Sequence, residues 1–91
     1  MALILSLRQG EDFFLGQERV MVRKVYSNKH FVLETSEGTH YEIVQDRMAE
    51  VAPDVFISSG DRGLNGVVRI VIDAPRDIII LRGQAYRRAQ G

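Results

Sequence analysis

Toward the end of the chain, apolar and polar positions alternate. Over residues 67–73, Val68, Ile70 and Ile72 fall on one face of an extended segment and Val67, Arg69, Val71 and Asp73 on the other, the pattern of a strand with one buried and one wet side. Ala74-Pro75 ends it, because Pro75 has no N–H for a ladder and biases Ala74 toward an extended or turn conformation. A further strand is expected over 78–81, stopped by Arg82 and Gly83. The opening residues are largely apolar on both sides, with Leu3, Leu5 and Leu7 on one face and Ile4, Ser6 and Arg8 on the other. Such a strand is expected inside a sheet, paired with the end of the chain. A turn at 9–12 and a short strand at 13–15, closed by Gly16, follow it.

The middle of the chain reads as a hairpin. Val20, Val22 and Lys24 alternate with Met21, Arg23 and Val25; Ser27-Asn28-Lys29 supplies a turn; and residues 30–35 return with Phe31 and Leu33 on one face. Residues 40–44 form a possible third strand. Met48 and Val51 stand at helical spacing before Pro53, which predicts a helix of at most two turns over 45–51. Residues 54–59 and 67–73 flank a glycine-rich loop whose Asn65-Gly66 is the pair a type I′ hairpin turn asks for. A short C-terminal helix is expected over 84–89, with Ala85 and Ala89 inward and Arg87 and Arg88 in water, weakened by Gly83 at its start.

Size changes this picture. A single domain of 91 residues buries only about 60–65% of its unfolded surface, so the isolated fold should be marginal and association is a common remedy. Net charge is zero and apolar content ordinary, which argues against disorder and against a non-specific polycation. The charge is nevertheless uneven. Six Arg face only Asp73 and Asp77 after residue 61, whereas the first 61 residues are net acidic. A localised anion-binding face would produce that asymmetry, and so would a solvated basic end. The absence of cysteine excludes disulfides and zinc–thiolate sites. The apolar opening is too short for a signal peptide, and no run approaches the ~20 residues of a membrane span, so a cytoplasmic location without a membrane partner is expected.

Three segments, taken together, resemble a known family. The opening LIL-S-L-R-Q-G-E, the strand V-R-I-V-I-D-A-P-R-D and the closing I-I-I-L-R with its following Tyr86 are similar to the carbon storage regulator (CsrA/RsmA) family of small bacterial RNA-binding proteins. The resemblance covers residues 1–16 and 54–91 of a single 1–91 domain and leaves 17–53 as an insertion between the family's second and third strands, expected as an appendage. It implies a mainly β, strand-exchanged homodimer with a short C-terminal helix, carrying an inserted β-hairpin and short helix. It also implies an RNA site where the first strand of one subunit lies beside the last strand of the other. That seam binds single-stranded loops displaying GGA, in mRNA leaders or regulatory small RNAs, and so controls translation. The residues carried over are Leu5, Arg8, Arg76, Ile78, Ile80 and Arg82. No enzyme activity and no cofactor are implied. The chain departs from the family at Leu7, where relatives carry an Arg expected to face the RNA backbone.

Other chemistry is weaker. His30 and His40 with Glu34, Glu37 and Glu42 match no metal-ligand spacing, so no metal site is expected. Ser36, His40 and Asp46 contain the residue types of a catalytic triad without a nucleophile elbow. Gly60, Gly63 and Gly66 lie in a hairpin, where no helix N-terminus is available to hold phosphate. The rival expectation belongs to another class: the same scaffold adapted to protein–protein interaction, with Leu7 and insertion 17–53 making an apolar surface for a protein partner and RNA binding weak or absent.

Overall fold

The computed structural model describes residues 2–60 and 66–90. The first strand, β1 (Ala2–Arg8), is followed by β2 (Asp12–Leu15), β3 (Glu18–Ser27), β4 (His30–Thr35), β5 (His40–Ile43), β6 (Ala49–Ala52), β7 (Val55–Ser59), β8 (Val67–Asp73), β9 (Ile80–Arg82) and the helix α1 (Gly83–Gln90). Every strand pairing is antiparallel, in two sheets: β1-β8-β7-β6 and β5-β4-β3-β2-β9.

The alternation of β8 behaves as the pattern predicts. Val68, Ile70 and Ile72 are fully buried and their neighbours Val67, Arg69 and Val71 only half so. They meet Leu5, Leu7, Val55 and Ile57 of their own sheet and Phe13, Leu15, Val20, Val22, Phe31, Leu33 and Ile43 of the other, in one apolar core between the two sheets. β1 therefore turns one apolar face inward: Leu5 and Leu7 are buried, while Ile4 is half exposed. The strand pairs with β8 from Ala2–Asp73 to Arg8–Val67, so the beginning of the chain does lie against its end.

The 17–53 segment is built into both sheets and is not an appendage. β3 is the central strand of the five-stranded sheet, held between β2 and β4, and β6 extends the other sheet through β7. A two-residue loop joins β2 to β3, with Gly16 at φ 63° in the first central position, as a type II′ turn requires. The segment supplies five of the buried core side chains, Val20, Val22, Phe31, Leu33 and Ile43.

Three expectations need correction. The inserted helix over 45–51 does not form; its second half is β6, because pairing of Ala49 with Ile57 and Glu50 with Phe56 satisfies the backbone in a sheet and overrides helix propensity. The last strand begins two residues later than expected, after a turn in which the Ile78 N–H donates to the Pro75 carbonyl at 3.2 Å. In α1, Ala85 and Ala89 are exposed; the helix instead leans on β2 through Tyr86, whose ring stacks on Phe14 with centroids 3.7 Å apart and planes 7° from parallel. The Asn65-Gly66 turn and Gly63 fall at residues 61–65, outside the described residues, apart from Gly66 at φ 76°.

Candidate nucleic-acid interface

The first and last strands are edges of different sheets, β1 of one and β9 of the other. An edge strand keeps one row of backbone N–H and C=O groups outside the ladder, available to a ligand. The two edges meet in this single chain: Arg82, at the end of β9, donates from Nη1 to the Ser6 carbonyl of β1 at 2.9 Å. Arg8 is exposed two residues further along β1, where its backbone N–H is held by Glu11 Oε1 at 2.7 Å.

The remaining residues of the expected site disperse. Ile80 is half-buried opposite Leu15 and packs against the core. Ile78 lines a separate apolar cleft of about 280 Å³ with Leu15, Val20, Val51, Val55 and Ile79. Arg76 is exposed in the turn after β8. Leu5 is 6% exposed, so its side chain belongs to the core, and its main chain faces Ile70 in the ladder, because the outward row of β1 is that of Ser6 and Arg8. Leu7 is 2% exposed. It does not project from an outer face, as a position replacing an RNA-facing Arg would; it faces the core because it shares that face of β1 with Leu5.

Beside Leu7 lies a cleft of about 380 Å³, lined also by Gly10, Glu11, Asp12, Arg19, Arg82, Gly83, Gln84 and Arg87. Its organising group is Asp12, the only buried charged side chain among the described residues. Arg19 Nε donates to Asp12 Oδ2 at 2.6 Å, and Arg87 reaches the same carboxylate with Nη1 on Oδ2 at 3.0 Å and Nη2 on Oδ1 at 3.2 Å. Burial pushes the Asp12 carboxyl upward, but the hydrogen bonds and charges of Arg87 and Arg19 together outweigh it and hold the group below its ordinary 3.8. The same bond raises Arg87 above the ordinary arginine value. Gly83 is what allows the helix to start here: a Cβ on it would collide with Asp12 Oδ1.

This cluster was not legible in the pattern, which places Arg87 in water. Its signals are faint: an acidic residue opening an otherwise apolar β2, and a glycine where a short helix would prefer alanine. His30 Nε2 lies 2.5 Å from Glu42 Oε2 and His40 Nε2 3.6 Å from Glu34 Oε1, two separate surface pairs. The Ser36 hydroxyl donates to Glu18 Oε1 at 3.0 Å. Among the described residues no three potential ligands gather as for a metal, and no helix is long and apolar enough to cross a membrane. No protein-family model, curated protein or solved structure matches the chain.

Proposed function

We propose that this chain is an RNA-binding regulator of the carbon storage regulator kind, which takes GGA-bearing hairpin loops of mRNA leaders along the β1–β9 seam and so controls translation in the cytoplasm. The observation that carries the reading is the meeting of two free sheet edges, the first strand and the last, through Arg82 and the Ser6 carbonyl. Loop bases are splayed out of the stack and offer their edges to hydrogen bonds, which backbone groups of an edge strand and an arginine fork are suited to make. Arg8 stands nearby as a second cation. No bond-making chemistry is required of the protein. The proposal includes a strand-exchanged homodimer, in which the β1–β8 and β2–β9 pairings, made here within one chain, would be made between two copies.

The test is a gel shift with a GGA hairpin and its CCU counterpart, run beside light scattering. Preference for GGA, reduced about tenfold or more by Arg82→Ala, is the expected result. A folded protein that binds neither hairpin would move the assignment to a second reading, which the burial of Leu7 favours: a scaffold with no cation at position 7, using its 17–53 segment to hold a protein partner. Val51 and Ala52 of that segment already line the apolar cleft beside Ile78.

A further inference from the structure

The cleft beside Leu7 contains more positive charge than its one buried carboxylate needs. Asp12 is met by two guanidinium groups, and Arg82 lines the same cleft, so three arginines stand against Asp12 and Glu11. If the pairs served only to neutralise Asp12, one arginine would suffice. Each guanidinium carries five N–H donors. Arg87 uses two groups on the carboxylate, Arg19 uses Nε there and turns Nη2 toward Met21 Sδ at 3.9 Å, and Arg82 uses Nη1 on Ser6. Among the described residues, donors remain on all three. The side chains of Arg19 and Arg87 are about half exposed, 47% and 58%. Two like charges would normally keep apart; Asp12 Oδ2, shared by both, fixes them side by side.

We propose that Arg19 and Arg87, gathered on Asp12, form with Arg82 of the same cleft an oxyanion pocket that takes a phosphate group. On the RNA reading, on which the identity of the ligand rests, the phosphate is a backbone phosphodiester of the loop next to the seam. The pocket then returns to the site, from β3 and α1, the cationic character that Leu7 withholds from β1. Leu7 and Gly10 form its uncharged wall, and Gln84, exposed at the first turn of α1, lies on its rim. Glu11 opposes an anion there, but its Oε1 is engaged by the Arg8 N–H.

Two measurements separate the pocket from the RNA reading. In the first, inorganic phosphate is titrated into the full chain while arginine Nε–H resonances are followed, with the Arg23 resonance as an internal control, since Arg23, on β3, pairs with Glu34 of β4 and is not in the cleft. Arg19 and Arg87 should shift and Arg23 should not. In the second, GGA-hairpin affinity is measured against salt for wild type, Arg19→Gln, Arg87→Gln, Gln84→Glu and Gln84→Lys, with Gln17→Glu, in the β2–β3 turn, as control. Loss of one single-strand phosphate contact should lower the salt slope by about 0.7 and weaken binding roughly three- to tenfold. The Gln84 variants leave the Asp12 pairs untouched, so they report even if the arginine variants fold poorly: Gln84→Glu should weaken binding, Gln84→Lys strengthen it, and Gln17→Glu leave it unchanged. Shifts at Arg19 and Arg87 without hairpin binding would retain the pocket, for a free phosphate or another oxyanion, and refute the RNA reading. A loss of hairpin slope supports the pocket even where inorganic phosphate alone binds too weakly to register. Hairpin binding whose slope is unchanged in every variant would overturn the pocket and leave the RNA reading standing; no response in either measurement would overturn both.

Discussion

Phe31→Ala tests whether the 17–53 segment is part of the fold or a passenger on it. Phe31 is fully buried on β4, opposite Val25 of β3 and Ile43 of β5, and belongs to the core shared by both sheets. Truncating such a ring removes its transfer free energy and leaves a cavity that neighbouring strands cannot close, a cost of about 3–5 kcal/mol. A domain of this length has a total stability of roughly 5–14 kcal/mol. With an unfolding entropy of about 0.2 kcal/mol/K, the melting point should fall by roughly 15–25 °C. The transition should stay single, and the amides of Val68 and Ile70 on β8, in the other sheet, should lose hydrogen-exchange protection together with those of β4. Calorimetry paired with native-state exchange reads both. An early separate transition, with β8 amides as protected as in the wild type, would refute the argument and restore the view of this segment as an appendage. Replacing the whole segment by a short turn should, by the same reasoning, abolish folding.

Three other outcomes follow from the geometry. Leu7→Arg should lower the melting point and give no gain in hairpin affinity, because the side chain starts from the core face of β1 beside a cleft already occupied by three arginines; tighter binding at unchanged stability would contradict this. Gly83→Ala should destabilise even though alanine is the better helix former by about 1 kcal/mol, since its Cβ would meet the Asp12 carboxylate and push α1 away; a raised melting point in thermal denaturation would show that the helix start can shift freely. Asp12 contributes stability above its unfolded pKa, near 3.8, that is lost as pH falls through its depressed folded value, so wild type should lose more melting temperature than Asp12→Asn when pH is lowered from 5 to about 2; parallel profiles would deny the pairing.

What could be read from the chain was what period and turn chemistry encode. β8 and β4 have clean two-residue periods, and the structure places them as the alternation does, whereas in β3 the alternation holds only as far as Val22: a bulge at Arg23 sets Val25 opposite Phe31 and against the core and leaves Lys24 exposed. The 45–51 stretch went the other way because Ala, Glu, Met and Val suit a short helix locally, while the β7 strand that recruits Ala49–Ala52 is a tertiary partner. For β1 the alternation divides the side chains correctly into two sets, and the one that goes inside, with Leu5 and Leu7, is the one without Ser6 and Arg8. Of the residues carried over by resemblance, Arg82 meets β1, whereas Leu5 is consumed by the core and Ile78 turns to another cleft. The Asp12–Arg19–Arg87 cluster joins two residues near the beginning of the chain to one 75 positions beyond Asp12, and no sequence spacing announces it.

The pairing of β1 with β8 also has a consequence for how the molecule comes to be folded. β1 leaves the ribosome well before the strand it needs, β8, and β2 likewise waits for β9 to complete its second side. Contacts spanning most of the chain form slowly because loop closure must precede the reward. During that interval β1 is a free apolar strand with an unfilled edge. In that interval a neighbouring chain would compete for the same edge, and the β1–β8 pairing within one chain depends on closing the loop before it does.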